Sequence, residues 1–340
     1  MKIYTPEPLT GHQIVNLFYF KYSPEKQMGG LFREHLPPNF FETVTFVDRD
    51  KADAVVLPTN FLHLDAAAIA YIKQHLEGAR VPVIAFSFGD LTHDLQFDPR
   101  LHVLRLSTYR SLQGPNDHLV TTLVDDPSPD GISIRLKTPL PRVSFCGQAS
   151  FHGWQQWLRY GAKWAVFTAL GMIWPSMKAR LVGVYWRRRV LRSCRTSALV
   201  TSDFIVRSSF SGNRKTIELP PEDARRQFVE NMRESDFVLA PKGDGNYSNR
   251  MIEALAMGRI PLVIDTDMPL PLEGTVDYEK ICVRVPMHDV ASTPKYIRTF
   301  YDSLTPEEWE ARQRLARDTF ERFLRQDQCL RHVFRSLGVA

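Results

Sequence analysis

The sequence predicts an α/β protein of two doubly wound domains, and three observations carry that reading. Short apolar runs rich in Val, Ile and Phe alternate with helical stretches, turn residues punctuate them, and a proline-rich stretch midway separates one such series from a second. The length permits it, since 340 residues with 44 % apolar and 24 % charged side chains suffice for two cores. That balance excludes disordered, collagen-like and fibrous chains. The four cysteines, Cys146, Cys194, Cys282 and Cys329, are widely separated. They offer neither a disulfide framework nor a zinc pattern and fit a reducing compartment.

In chain order, residues 1–8 lack the basic start and apolar run of a secretory signal and resemble a first strand. Val55, Val56 and Leu57 form a short buried strand, and 64–76 (LDAAAIAYIKQHL) places apolar residues at helical spacing. The runs 81–88 (VPVIAFSF) and 101–106 (LHVLRL) read as further strands. This βαβ order implies a parallel sheet. Pro127, Pro129, Gly131, Pro139 and Pro141 then cluster with turn-forming Asp and Ser. The boundary falls there, giving a first domain at 1–138, a second at 139–310, and helices at 311–340 expected to pack back on the first domain.

The second half repeats the logic. Strands are expected at 142–146, 236–240, 260–264 and 281–285, and helices at 221–234 and about 248–257. The tail after Pro294 is helical, with apolar residues at Tyr296, Phe300, Leu304, Trp309, Leu315, Phe320 and Phe323. The most informative stretch runs from Ala240 to Ile264 (APKGDGNYSNRMIEALAMGRIPLVI). It joins a strand to a helix at the carboxyl edge of the sheet, where such folds bind ligands, and Gly243 and Gly245 admit an anion close to backbone amides. Lys242 and Arg250 supply charge for a diphosphate without a metal, and Ser248 can cap the helix or donate to a phosphate oxygen. Asn246 lies in the same loop. Glu253, one turn after Asn249, suits vicinal ribose hydroxyls. The same residues would also make a glycine turn feeding a capped helix, with Arg250 and Glu253 an i, i+3 ion pair.

This stretch resembles the exostosin family of glycosyltransferases. The matching elements are Ser235-Asp236-Phe237, Pro241-Lys242-Gly243, the helix Ser248-Asn249-Arg250-Met251-Ile252-Glu253-Ala254, and Gly258-Arg259-Ile260-Pro261-Leu262-Val263-Ile264. The likeness continues through Asp265 and Leu270-Pro271-Leu272-Glu273, covers 222–286 well, and is looser at 142–147 and 189–207. It implies a GT-B fold, two Rossmann-like domains facing a central cleft, with the acceptor on the first and a nucleotide-sugar such as a UDP- or GDP-sugar on the second. It further implies transfer with inversion to a glycan or lipid-linked glycan in polysaccharide synthesis, with no cofactor. A membrane anchor and lumenal disulfides, usual in eukaryotic members, are missing, which points to a bacterial, cytoplasmic version. A fucosyltransferase-like enzyme of the same fold, or a non-catalytic glycan- or membrane-binding protein, is the alternative reading.

Inversion requires a base. Gly89-Asp90-Leu91-Thr92-His93-Asp94 follows a strand of the first domain, so Asp94, Asp90 and His93 are the candidates. A Gly-Asp turn capping a short helix is the structural use of the same residues. Tyr109, Arg110, Asn116, Asp117 and His118 are weaker acceptor-side candidates. Gly147, at a strand end, and Arg207, after Phe204-Ile205-Val206, are expected beside the leaving diphosphate.

The net charge of +5 hides a local excess. Residues 151–200 hold nine Lys or Arg, no Asp or Glu, and five of the six tryptophans. A basic, Trp-rich insertion at about 151–186 suits an anionic membrane surface, with the protein peripheral at the inner face. The longest uncharged apolar run there, 164–174, is well short of the roughly 20 residues of a spanning helix. No nucleic-acid-binding module accompanies the charge, so nucleic acid is not an expected partner. Transfer is expected to need no metal, with positive side chains and helix amides holding the diphosphate.

Overall fold

The computed structural model describes residues 1–22, 44–90, 95, 97–122, 124–151, 153–208 and 219–339. The chain divides into two units. One comprises Met1–Asp125, Pro269–Thr275 and Phe323–Ala340, the other Asp126–Met268 and Val276–Arg322.

In the first unit, β1 (Lys2–Tyr4), β2 (Thr45–Phe46), β3 (Ala54–Asn60), β4 (Val83–Ser87), β5 (Leu101–Arg105) and β6 (Asp117–Leu119) form a parallel sheet of order β2-β1-β3-β4-β5-β6. Every residue of β3 and β4 is buried, as expected for strands covered on both faces. Side-chain alternation along the strands splits the core in two. Val55, Leu57, Val83, Ala85 and Val103 pack on one face against Ala68, Ile72 and Leu76 of α1 (Ala66–Leu76). That helix starts at Asp65, whose carboxylate accepts from the Ala68 amide at 2.8 Å. Ala54, Val56, Ile84, Phe86 and Leu104 face the other way and meet Cys329, Leu330, Val333 and Phe334 of the C-terminal helix Gln326–Ser336.

The edge at β5 and β6 carries polar pairs. Arg105 donates to Asp117 at 2.6 Å, both buried, and His102 Nδ1 lies 3.1 Å from His118 Nε2. Burial, and then the neighbouring His102, push His118 down to about 4 against the opposing pull of Asp117. The unfolded chain therefore takes up this proton near pH 6.5, while the folded one resists it until about pH 4. Stability is accordingly lost as pH falls through that window. Exchanging His118 for Gln should remove on the order of 1–2 kcal/mol of the acid sensitivity between pH 7 and 4.5, measured by urea unfolding at each pH. An unchanged pH dependence in the variant would contradict this.

The second unit builds β7 (Arg142–Gln148), β8 (Thr201–Arg207), β9 (Phe237–Leu239), β10 (Ile260–Asp265) and β11 (Val283–Pro286) into a parallel sheet of order β11-β10-β9-β7-β8. Its helices are α2 (Gly153–Ile173), α3 (Gly183–Arg195), α4 (Pro221–Arg233), α5 (Asn249–Ala256), α6 (Thr293–Asp302) and α7 (Pro306–Thr319). Trp309 of α7 is fully buried, 5.6 Å from the Phe237 ring and 4.9 Å from that of Tyr301. Leu315, expected on the apolar stripe of the tail, is instead 36 % exposed.

In both sheets the chain starts on an inner strand, steps to one edge, and then winds the other way. Each unit is thus a doubly wound Rossmann-like domain, the organisation of the GT-B class, with its switch point between β1 and β3 or between β7 and β9.

The basic segment is helical. Of its tryptophans, Trp154, Trp157, Trp164 and Trp174 are exposed, whereas Trp186 of α3 is 2 % exposed and belongs to the core. Among the described residues no helix is long and apolar enough to cross a membrane.

Candidate functional site

The switch point of the second sheet lies where β7 and β9 end, and main-chain carbonyls of both strands accept from a side chain there. Arg250, in the first turn of α5, takes two of them. Its guanidinium donates to Cys146 O at 2.8 Å and Leu239 O at 3.3 Å, and stacks 4.5 Å over the Phe145 ring. Gly147 suits this approach, because a Cβ there would sit 2.8 Å from Arg250 Nη2 and the guanidinium would have to shift. Arg187 of α3 ties the same two loops together, donating to Gln148 O and to Lys242 O, each at 3.0 Å. α3 comes that close because Gly183 has no side chain, since a Cβ on it would lie 2.2 Å from Lys242 O. Arg207, at the end of β8, donates to Gln227 Oε1 at 2.8 Å and Ala224 O at 3.3 Å.

The three arginines act on one another. Burial, and then Arg250, pull Arg187 down to about 10. Arg250 is likewise lowered by burial, with Arg207 adding to the effect and Glu253 opposing it. Arg187 Nε and Arg250 Nε are buried without an acceptor. Partly desolvated like charges at the carboxyl edge of a parallel sheet favour an anion, which would relieve both the repulsion and the missing hydrogen bonds.

The other loop residues have different places. Lys242 is 1 % exposed and donates to Ala179 O at 2.9 Å, so its ammonium secures the turn before α3. Gly243 closes the loop by donating to Tyr247 O at 3.0 Å, and Gly245 is buried within it. Asn246 staples the loop to the turn after β10, donating to Thr266 O and Asp267 O, while Thr266 Oγ1 donates back at 2.8 Å. Ser248 is the residue before α5, but its hydroxyl makes no capping bond. Asn249 opens the helix, half-buried. Glu253 is buried and accepts from Arg225 of α4 at 2.6 Å.

The structure therefore brings Gly147, Ser248, Asn249, Arg250, Glu253 and Arg207 to one sheet edge, and turns Lys242 and Asn246 to holding the loop. Two residues of the site escape the sequence reading. Arg187 falls there only within the basic segment, and Arg225, inside the helix expected at 221–234, is not singled out. A signal for Arg187 exists in the spacing, because Gly183, Arg187, Val190, Leu191 and Cys194 fall on one stripe of α3. An arginine within an apolar stripe points inward.

In the first unit, Asp90 is exposed after β4, in a turn held by Asn60, which accepts from Phe88 N at 2.8 Å and donates to Phe88 O. His93 and Asp94 lie outside the described residues. Arg110 pairs with Glu273 at 2.5 Å beside the half-buried Tyr109. Asn116 donates to Pro99 O at 3.0 Å. Asp117 and His118 are committed to Arg105 and His102, which accounts for them without an acceptor.

Known proteins resemble the chain over part or most of its length. The chain is 35 % identical over 88 residues to a probable beta-1,4-xylosyltransferase, IRX10L, of Arabidopsis thaliana, covering 26 % of this chain and 20 % of the relative. It is 35 % identical over 68 residues to a probable glucuronosyltransferase, GUT1, of Oryza sativa subsp. japonica, covering 20 % and 16 %. These alignments thus span at most a fifth of either relative. Among solved structures, a glycosyltransferase from Rickettsia africae superposes with a TM-score of 0.42 at 10 % identity, covering 85 % of this chain and 77 % of that one. The exostosin GT47 domain model matches residues 47–300, most of the chain. The chain belongs to the exostosin GT47 family of glycosyltransferases.

Proposed function

We propose that the chain is an inverting glycosyltransferase that moves a sugar from a nucleotide-sugar donor to a glycan or lipid-linked glycan acceptor, without a metal. The observation that carries this reading is the placing of Arg187 and Arg250 at the switch point of the second sheet, with Arg207 on the neighbouring strand end close enough to act on Arg250. In this reading the three guanidiniums take the diphosphate, where a cation would stand in other transferases. Ser248 donates to a phosphate oxygen, and Glu253, held by Arg225 as a carboxylate, accepts from the ribose hydroxyls.

The reaction then needs little covalent chemistry from the protein. An acceptor hydroxyl loses its proton to a base, its oxygen bonds to the anomeric carbon from one face, and the nucleoside diphosphate leaves from the other with the bonding electrons. The arginines stabilise the charge that develops on the leaving oxygen. The base is proposed among Asp90, His93 and Asp94, which follow one another in sequence after β4. The exposed tryptophans of 154–174 and the unopposed basic charge around them support a peripheral membrane location.

The test is differential scanning fluorimetry with UDP and GDP. A nucleotide at a hundred times its Kd should stabilise the binding domain by about 2.7 kcal/mol. Glu253→Gln should lower affinity for the nucleoside diphosphate but not for inorganic diphosphate, and EDTA should leave donor turnover unchanged. No shift with any nucleoside diphosphate, or activity lost to EDTA and restored by manganese, would overturn the corresponding part of the reading.

A further inference from the structure

Next to the arginine cluster, α2, α3 and the ends of β7 and β8 line a concavity of about 630 Å3, within the roughly 300–1,000 Å3 typical of small-molecule sites. Its apolar side is made by Trp157, Tyr160, Trp164, Leu191 and Val206. Tyr160 is fixed by stacking on Phe151 at 5.1 Å. The opposite character comes from α3, where Arg188, Arg192 and Arg195 line the same cavity at i, i+4 and i+7, hence along one stripe. All three are exposed, and no bond to another described residue involves the Arg188 or Arg192 side chain. Nor is there an acid within 151–200 to neutralise them.

The site thus joins an aromatic trough to an uncompensated cationic wall. A soluble polyanion would pair the arginines but leave the tryptophans in water, and an apolar peptide would cover the trough but leave the charge unopposed. Only an amphipathic anion satisfies both. We propose that this groove binds a single anionic lipid, with its hydrocarbon chain along Trp157, Tyr160 and Trp164 and its phosphate on the Arg188, Arg192 and Arg195 stripe. The proposal stands apart from the nucleotide reading. Arg187, the neighbour of Arg188, turns inward to Gln148 and Lys242 and takes no part in it.

The experiment titrates the full chain with decyl phosphate below its micellar concentration, followed by tryptophan fluorescence and calorimetry. Parallel titrations use inorganic phosphate, decanol and decyltrimethylammonium. Decyl phosphate should bind one to one, at least about tenfold more tightly than any of the three. An Arg188→Ser, Arg192→Ser double variant should lose about tenfold in affinity for decyl phosphate with its circular-dichroism melt and UDP affinity unchanged, and Trp164→Ala should weaken the tail contribution. Equal affinity for decyl phosphate and inorganic phosphate, or a double variant that binds like the parent, would overturn the proposal. So would sedimentation with phosphatidylglycerol vesicles in the absence of single-lipid binding, which would assign the segment to a membrane face. Should UDP fail to bind while decyl phosphate binds, only the nucleotide reading falls.

Discussion

Replacing Arg250 with Ala should weaken nucleoside diphosphate binding by about 2–3 kcal/mol, roughly 30- to 150-fold, because charge-assisted hydrogen bonds to a partly desolvated phosphate are lost. Two further consequences follow from what the side chain touches. Cys146 O and Leu239 O lose a donor, so thermal stability should fall by about 1–2 kcal/mol. The lowered Arg187 should also recover toward the ordinary arginine value, since Arg250 is part of what depresses it. Arg250→Lys keeps a positive charge without the planar fork and should fall between the two for binding. Isothermal titration with UDP and GDP, alongside a circular-dichroism melt, separates the effects. Unchanged affinity in the Ala variant would remove Arg250 from the site.

An equally large effect is expected from one methyl group. A Cβ at position 183 would lie 2.2 Å from Lys242 O and 2.6 Å from Gly243 O. Both are backbone atoms, which cannot swing away as a flexible side chain can. Gly183→Ala must therefore push α3 off the loop, at a cost of about 2–3 kcal/mol for overpacking. The same displacement moves Arg187 from its carbonyls, so nucleotide affinity should fall at least tenfold as well. Gly161→Ala, at a helical glycine with open space around it, is the control and should stabilise slightly through helix propensity. A Gly183→Ala protein with parental melting temperature and nucleotide affinity would show that the contact between α3 and the loop is not tight.

Much of the architecture is legible in local pattern. The apolar runs at 54–57, 81–88 and 101–106 become β3, β4 and β5, and the helix read at 64–76 begins after Asp65 because an aspartate caps it. These elements can be read because each is dictated by side-chain period and turn chemistry within a few residues. The loop from Ala240 to Glu253 could be identified for the same reason, its glycines, helix start and charges being contiguous.

Inward or outward direction was not local. Lys242 looks like a phosphate ligand in sequence, yet it reaches a carbonyl 63 residues away in the chain. Arg187 looks like one of a run of surface charges, yet its guanidinium bridges two loops contributed by β7 and β9. Glu253 is read as a lone carboxylate, and its partner Arg225 lies on another helix. The Trp-rich segment likewise reads as one unit, while the structure separates the buried Trp186 from four exposed rings. The sequence by itself determined the two parallel α/β domains and the glycine-rich loop that joins β9 to α5, because period, capping and glycine placement act over short range. Only the tertiary structure decided which cations gather at the sheet edge and which hold a turn elsewhere, because a long side chain is claimed by whichever carbonyl or carboxylate the packing of distant elements brings within hydrogen-bonding reach.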